Sequence, residues 1–159
     1  MTIDLNTDGK ITLDFYSKAF LDASWKWLND TEIKKLVSAG SFTKEQQLDF
    51  YSSLSSREDY RIWGLSFDGV PIGVVGLKGI SGHSAEYFGY IGEKAYWNKG
   101  LSKNIFESLE SKLEVMQINK IWLKVSNENL RAIAAYQKNK FEIVSSSSCE
   151  LIMERYFEF

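Results

Sequence analysis

The middle of the chain contains the strongest local folding signal. Two runs rich in apolar and β-branched residues, 61–67 and 70–78, flank the dipeptide Asp68-Gly69. Asp-Gly is typical of a two-residue hairpin turn, because both central residues of a type I′ turn need positive φ angles. The pattern therefore predicts two adjacent antiparallel strands, and residues 79–82 predict a second turn into a third strand over 84–91. Such a meander excludes the regular alternation of parallel strands and helices.

Hydrophobic periodicity predicts the remaining elements. Apolar residues spaced three and four apart predict helices, and short alternating or continuous apolar runs predict strands. We predict helices over 20–28, 32–37 and 101–116, one that Asn127 or Asn129 caps and that runs to about 138, and one after the capping-box pair Thr43 and Gln46 with Leu48, Tyr51 and Leu54 as its apolar stripe. We predict further strands over 10–16, 120–125, 141–146 and 150–157. The order indicates an α+β fold, with residues 1–159 forming a single domain.

Composition narrows the classes of function. Nineteen Lys and Arg stand against 21 Asp and Glu, which gives a net charge of −2. Without a basic surplus we expect no binding of nucleic acid, and affinity for a polyphosphate has to come from a local site. Cys149 and His83 are single, which excludes a disulfide framework and a zinc finger, and we expect no metal. With no apolar run near 18 residues and no leader pattern, we expect a cytoplasmic protein that does not enter a membrane.

One candidate ligand site lies between the third meander strand and the next helix. Residues 96–102 read YWNKGLS, and the predicted helix begins just after Gly100. The first N–H groups of a helix are unpaired and lie at the positive end of its dipole, so they bind phosphate without net basic charge. The segment lacks both the Walker sequence and the glycine spacing of a dinucleotide fingerprint. An ordinary strand-to-helix turn is the alternative.

A second candidate site lies on the predicted helix near residues 129–138. Asn129 and Tyr136 are seven positions apart, so they share one helix face. A cofactor along that face would contact an amide at one end and a phenol at the other. An unperturbed phenol titrates near 10, so it suits protonation of a leaving thiolate better than the role of a base. The alternative is that Asn129 caps the helix and Tyr136 packs in the core.

Together these segments resemble the GCN5-related N-acetyltransferase (GNAT) superfamily. The resemblance covers most of the chain and rests on Gly89-Tyr90-Ile91 leading into residues 96–100, on the Asn129 to Tyr136 pattern, and on the order of strands. Tyr96-Trp97 and residues 27–30 (WLND) are similar to the ribosomal-protein N-acetyltransferase branch. Within it, residues 135–141 are similar to nucleotide-linked amino-sugar N-acetyltransferases of pseudaminic acid biosynthesis. The resemblance implies a mixed, mostly antiparallel sheet of six or seven strands with about four helices, splayed between strands 84–91 and 120–125.

The resemblance also implies acetyl-CoA as the co-substrate, lying in the splayed gap. Tyr136 would be the general acid near the thioester sulfur, and Trp27, Asn29 and Tyr87 would contact the acceptor. The positions implied to contact acetyl-CoA are Ile91, Trp97, Asn98, Lys99, Gly100, Leu101, Ser102, Lys103, Asn129 and Tyr136. Three positions depart from the superfamily pattern: Trp97 replaces Arg or Gln, Ser102 replaces Gly or Ala, and Lys140 replaces a helix-ending Gly. Either Lys140 or Asn139 must then make the left-handed turn at the end of the helix.

The general base is the position where this chain departs most from the resemblance. In this branch a Glu often lies two residues before the strand glycine, where this chain has Tyr87. Glu86 is one residue earlier and would face the other side of the sheet unless a bulge corrects the register. His83, at the start of the strand, is another candidate base. Water, or an amine that arrives neutral, is the third alternative.

These inferences predict an N-acetyltransferase that moves the acetyl group of acetyl-CoA directly to a primary amine of a small molecule, such as a nucleotide-linked amino sugar. Residues 20–60 and the final hairpin would form the acceptor pocket, with Arg57, Arg61 and Lys26 as candidate cations and aromatic faces from Trp25, Trp27, Phe50, Tyr51, Tyr60, Trp63, Tyr87 and Tyr96. Acetylation of a ribosomal protein, another protein or a polyamine is one alternative. A non-catalytic acyl-CoA-binding module is another, and the resemblance also allows a homodimer.

Overall fold

The computed structural model describes residues 9–37 and 40–159. Within these ranges, seven strands form one mixed sheet, and five α-helices pack on its two faces. In chain order they are β1 (Ile11–Phe15), α1 (Lys18–Leu28), α2 (Thr31–Leu36), α3 (Lys44–Ser53), β2 (Arg61–Phe67), β3 (Val70–Ser81), β4 (Ser84–Ile91), α4 (Ser102–Met116), β5 (Lys120–Ser126), α5 (Leu130–Lys138), β6 (Glu142–Ser146) and β7 (Glu150–Tyr156). In this part of the chain no helix has the length and apolar character needed to cross a membrane.

The sheet order is β1-β2-β3-β4-β5-β7-β6, and every neighbouring pair is antiparallel except β4 with β5. The predicted hairpin is confirmed, because Asp68 and Gly69 have φ angles of 48° and 79° between β2 and β3. Both angles are positive, as a type I′ turn requires. The α+β class with a mostly antiparallel sheet is therefore confirmed, and the five α-helices are those that periodicity predicts, one more than the about four that the resemblance implied.

Alternation along the strands assigns each side chain to one of two faces. On the face that we call the α4–α5 face, Leu77, Tyr87 and Ile121 belong to the main core together with Leu109 and Leu113 of α4. The opposite face, which we call the α1–α3 face, carries a second cluster whose buried members are Tyr16, Phe20, Leu21, Trp27, Ile33 and Val74. Two cores on opposite faces hold the sheet rigidly between them.

Helix α3 keeps its predicted cap and most of its predicted stripe, because Tyr51 and Leu54 pack against the second cluster. Thr43 and Gln46 form the capping box. Leu48, however, is 49% exposed, and Gln47 is buried instead. The Gln47 side chain donates to the carbonyl oxygen of Leu21 in α1 at 2.9 Å, so a hydrogen bond replaces an apolar contact. The predicted stripe was wrong at Leu48 because a polar residue that satisfies a buried carbonyl gives no signal in hydrophobic periodicity.

The second turn of the meander lies later than predicted. Strand β3 continues to Ser81, and the register with β4 shifts between Lys78 and Ser81. Gly79 takes a φ of 57° within this irregularity. The turn itself consists of Gly82 and His83, with a positive φ of 59° at Gly82 as in a type II′ turn. The prediction of a turn over 79–82 was therefore wrong at its start, where glycine forms a bulge.

Candidate functional site

The parallel strands β4 and β5 separate along most of their length. They pair at only three positions: Ser84 with Lys120, Ala85 with Ile121, and Glu86 with Trp122. Beyond this point β4 continues to Ile91 beside β3, and β5 continues to Ser126 beside β7. The sheet is therefore split at one end, with the vertex of the gap at Glu86 and Trp122, as the resemblance implied.

Main-chain groups of β4 line one side of the gap. The N–H of Gly92 donates to the carbonyl of Ile72 in β3 at 2.7 Å. Main-chain groups alternate between the two edges of a strand, so the residues two and four positions before Gly92 also direct their N–H and C=O groups toward β3. Gly89 and Ile91 alternate with those residues, so their N–H and C=O groups point toward the gap. In agreement, the Ile91 carbonyl accepts a hydrogen bond from Nε1 of Trp97 at 2.8 Å. A ligand with amide or carbonyl groups would satisfy this edge of the sheet.

The segment between β4 and α4 has the geometry that an anion site requires. Asn98 and Gly100 have φ angles of 60° and 70°, in the left-handed region. Helix α4 then begins at Ser102, and no described side chain caps its 15 residues. Its first N–H groups lack intrahelical acceptors and lie at the positive end of the helix dipole. Lys99 and Lys103 are exposed beside them, where they can add positive charge.

A residue outside the predicted binding set holds this segment in place. Asn139 is 8% exposed and lies at the C-terminus of α5. Its Nδ2 donates to Oγ of Ser102 at 3.0 Å and to the carbonyl oxygen of Ala135 at 2.8 Å. The turn after α5 falls on Lys140, whose φ is 70°. No local pattern could identify the bond between Asn139 and Ser102, because the two residues are 37 positions apart.

Two phenols lie together on the α4–α5 face of the vertex. The Tyr136 ring is 5.5 Å from that of Phe141 and 6.3 Å from that of Phe106, between ring centroids. Tyr87, the first β4 residue beyond the paired stretch, meets Tyr136 edge to face at 6.4 Å. Burial raises the pKa of Tyr136 to about 12. At neutral pH this hydroxyl therefore stays protonated and acts as a donor.

Asn129 starts the helix that carries Tyr136. Its side-chain oxygen accepts from the N–H of Ala132 at 3.2 Å, so the predicted cap is confirmed. The cap uses the oxygen and leaves the amide group as a donor. Because Asn129 and Tyr136 are seven positions apart, that donor lies on the same side of α5 as the phenol.

The two candidate bases have different positions. The β3–β4 register runs without a shift from Glu86 to Ile91, so no bulge moves Glu86 to the side of Tyr136. Glu86 lies at the vertex on the α1–α3 face and forms an ion pair with Lys78 at 3.6 Å. His83 lies at the paired end of β4, with Nδ1 at 2.7 Å from the carbonyl oxygen of Gln117. Four extended residues, roughly 13 Å, separate it from Tyr87, so His83 does not join the phenols.

Trp27 and Asn29 are engaged by their own surroundings. Trp27 is 5% exposed, and its Nε1 donates to Oε1 of Glu93 at 2.8 Å. Asn29 ends α1 and donates from Nδ2 to the carbonyl oxygen of Trp25 at 2.6 Å. Trp27 also borders a cavity of about 630 Å³ between α1, α2 and residues 92–95. Trp27 thus forms part of the wall of this cavity, whereas Asn29 is exposed at the end of α1.

An aromatic surface with cations lies on the α1–α3 face near the vertex. The Phe88 ring is 5.5 Å from the Tyr60 ring, Arg57 lies 4.4 Å over Tyr60, and Lys78 lies 5.8 Å from the centre of Phe88. We call Tyr60, Phe88, Arg57 and Lys78 the cationic aromatic patch. Among the other candidates for the acceptor pocket, Trp63 and Tyr96 pack against the main core, Lys26 borders the cavity, and Arg61 donates to the main chain of residues 57 and 60.

Comparisons with known proteins agree with this geometry. The model of the Acetyltransferase (GNAT) family matches residues 21–141. The chain is similar to N-acetyltransferase PseH from Campylobacter jejuni, solved alone and with acetyl coenzyme A, at 20% identity over 93% of this chain and 99% of that one, with a TM-score of 0.72. It is also similar to spermidine N-acetyltransferase from Vibrio cholerae in complex with CoA and spermine, at 18% identity, 92% and 95% coverage, and a TM-score of 0.84.

A third similar structure is aminoglycoside acetyltransferase AAC(6')-Ib with coenzyme A and kanamycin, at 21% identity, 92% and 95% coverage, and a TM-score of 0.76. A sequence comparison with curated proteins finds no match. At these identities the structural likeness establishes the fold, and the family match over residues 21–141 establishes the family. The chain belongs to the acetyltransferase (GNAT) family and is an acetyl-CoA-dependent N-acetyltransferase.

Proposed function

We propose that this enzyme transfers the acetyl group of acetyl-CoA directly to the primary amine of a small anionic acceptor, such as a nucleotide-linked amino sugar. The observation that carries the proposal is the vertex of the gap. Tyr136, a protonated donor, lies on one face of the sheet there, and Glu86 lies on the other beside the cationic aromatic patch. A thioester held in the gap would be open to both faces.

The residues around the gap fit acetyl-CoA. The pyrophosphate needs several N–H donors, which residues 98–102 and the uncapped start of α4 supply. The amides of the pantetheine arm need partners along an unpaired strand edge, which Gly89 and Ile91 supply together with Asn129. When bound, this co-substrate supplies an acetyl group activated as a thioester.

The protein side chains move the protons of the transfer. Glu86 accepts a proton from the acceptor amine, directly or through water, as the nitrogen bonds to the thioester carbonyl carbon. The N–H of Gly89 stabilises the negative charge that develops on the carbonyl oxygen. Tyr136 gives its phenolic proton to the sulfur as the carbon–sulfur bond breaks. The products are an amide and the CoA thiol, and solvent takes the Glu86 proton and restores that of Tyr136.

The cationic aromatic patch favours an acceptor with negative charge and a flat ring. Tyr60 and Phe88 offer faces for a nucleobase or sugar, and Arg57 and Lys78 offer charge for phosphate. A polyamine would instead need available carboxylates. In the cavity beside Trp27, the lining carboxylates are Asp22, Asp30 and Glu93, of which Asp30 pairs with Lys94 at 2.9 Å and Glu93 accepts from Trp27, so only Asp22 is left for a cation.

The test measures thiol release from acetyl-CoA with a panel of acceptors: a uridine-diphosphate-linked amino sugar, spermidine, an aminoglycoside and a peptide amine. We expect the highest kcat/KM for the amino sugar, with the acetylated product identified by mass spectrometry. Acetyl-CoA binding without release on any acceptor would contradict catalysis and favour a binding module. Release confined to spermidine or the peptide would contradict the acceptor class.

Two charge-neutralising variants test whether the cationic aromatic patch binds the acceptor. Arg57→Gln should raise KM for the amino sugar about tenfold and leave KM for acetyl-CoA unchanged, because the lost charge lies over Tyr60 and beside Asp59, on the acceptor side of the sheet. Lys112→Gln removes the same charge from α4, away from the patch, and should change neither constant. Equal kinetics of the two variants would remove Arg57 from the acceptor site.

A further inference from the structure

Tyr87 occupies a special position at the vertex of the gap. It immediately follows Glu86, the last β4 residue that pairs with β5. Its side chain lies on the α4–α5 face, in the main core, and is 7% exposed. Its ring is 6.4 Å from that of Tyr136, the proposed acid. Both phenols therefore border the place where the thioester must lie if the proposed function is correct.

The hydroxyl of Tyr87 points along β4 toward the open end of the gap. A side-chain carbon built on Gly89 would lie 2.7 Å from this hydroxyl, so the phenol occupies the space that a larger residue at 89 would need. Gly89 is also the residue whose N–H faces the gap. The hydroxyl and this N–H thus lie side by side on the same short stretch of strand.

Both rings pack in or against the main core, but neither hydroxyl has a hydrogen-bond partner within the described part of the chain. Desolvation raises the pKa of both, and no hydrogen bond to a described side chain or main-chain group lowers either one. Neither hydroxyl is among the buried polar atoms without a partner, so both are accessible, and a bound ligand can supply the acceptor that no described group supplies. A protonated phenol is a donor, and the acceptor nearest the vertex in a bound thioester is the carbonyl oxygen or the sulfur.

We propose that Tyr87 is a second catalytic phenol, whose hydroxyl donates a hydrogen bond to the carbonyl oxygen of the thioester beside the N–H of Gly89. This inference rests on the proposed function. As the amine nitrogen bonds to the carbonyl carbon, negative charge moves to the oxygen, and Tyr87 stabilises it without losing its proton. When the carbon–sulfur bond breaks, the charge returns to form the amide carbonyl, and Tyr136 alone protonates the sulfur.

The division of labour explains why Tyr suits position 87. A carboxylate at position 87 would repel the negative charge that develops on the carbonyl oxygen and would accept a hydrogen bond from the Tyr136 hydroxyl. A neutral phenol stabilises that charge and leaves the Tyr136 proton available. Glu86, on the opposite face, remains available to the acceptor amine. Donor and base are thus adjacent in sequence and separated by the sheet.

The kinetic test compares Tyr87→Phe with Tyr156→Phe, a control near the end of β7 whose side chain is 63% exposed. Loss of one oxyanion donor typically lowers kcat by about 10²-fold or more. We expect Tyr87→Phe to reduce kcat by about that factor with KM for acetyl-CoA within about twofold of wild type. Tyr156→Phe should match wild type. A kcat for Tyr87→Phe within about threefold of the control would overturn the proposal.

A spectroscopic test distinguishes the carbonyl contact from simple packing against Tyr136. The infrared stretch of carbon-13-labelled acetyl-CoA should shift to lower frequency when bound, as a hydrogen bond weakens the carbonyl bond. The shift should shrink in Tyr87→Phe and persist in Tyr136→Phe. An identical frequency in wild type and Tyr87→Phe would refute the contact. This measurement needs no acceptor, so it stays decisive even if thiol release fails on every amine.

Discussion

Tyr136 and Glu86 receive opposite properties from their surroundings. Tyr136 is enclosed by the rings of Phe106, Phe141 and Tyr87, and this burial raises its pKa to about 12. Glu86, one position before Tyr87, turns to the other face and meets Lys78. The sheet therefore lies between a proton donor on one face and a carboxylate on the other, and it keeps the carboxylate from accepting a hydrogen bond from the phenol.

The raised pKa of Tyr136 predicts the form of the pH profile. An acid with a pKa of about 12 stays protonated through the working range, so kcat should rise with pH as the acceptor side deprotonates and then remain flat to about pH 10. Tyr136→Phe should lower the plateau by about 10²- to 10³-fold with KM for acetyl-CoA unchanged. Measurement of kcat from about pH 6 to 10 would contradict this if wild type lost activity with a midpoint below 10.

Lys140 carries a conformational cost at the end of α5. It is exposed with a φ of 70°, a conformation that costs a side chain roughly 1 kcal/mol relative to glycine. Lys140→Gly should therefore raise the free energy of unfolding by up to about 1 kcal/mol, or Tm by about 2–4 °C. Lys138→Gly, inside the last helical turn, should lower stability by a similar amount. Calorimetry that ranks the two variants in the other order would contradict the assignment.

Elements with local signals could be predicted, and those that depend on distant partners could not. The Asp68-Gly69 turn and the Asn129 cap each follow from a few neighbouring residues. The face of Glu86 depends on whether β4 contains a bulge, which no pattern in its sequence reveals. The burial of Gln47 depends on a carbonyl 26 positions away. The gap itself entered through a family resemblance, because strand separation leaves no mark on hydrophobic periodicity.

Asn139 links the end of α5 to the start of α4 through its side-chain amide. Asn139→Ala removes the bond from α5 to Ser102 at the start of α4. We expect KM for acetyl-CoA to rise several-fold with little change in kcat, because the phosphate segment loses a support far from the reacting atoms. The free energy of unfolding should fall by about 1–3 kcal/mol. Gln137→Ala, exposed in α5, is the control, and the same KM in both variants would show that the segment is held otherwise.

On the scale of the whole molecule, residues 92–94 tie the helical layer of the α1–α3 face to the sheet. Gly92 donates to Ile72 in β3, Glu93 accepts from Trp27, and Lys94 pairs with Asp30 at 2.9 Å. The same segment leads into residues 96–102, the proposed phosphate site. The position of α1 and α2 is thus coupled to the position of the co-substrate site.

Gly92→Ala tests this coupling. An added methyl group would lie 2.2 Å from the Trp27 indole, so the ring or the strand must move. Overpacking of this kind costs about 1–3 kcal/mol, and we expect that loss in urea unfolding together with weaker acetyl-CoA binding. Gly40→Ala meets no atom within 4 Å and should leave both quantities near wild type. If Gly92→Ala lowers stability but leaves acetyl-CoA binding unchanged, the helical layer is not coupled to the site.

The gap between β4 and β5 also determines which mutations can remove the main-chain groups that line it. Its donors on β4 and at the start of α4 belong to the main chain, so most side-chain replacements there alter fit and leave the donors present. Only proline removes an N–H, and Gly89→Pro or Ile91→Pro would do so. A binding surface built in this way tolerates sequence drift. The same fold persists at 18–21% identity to three solved acetyltransferases.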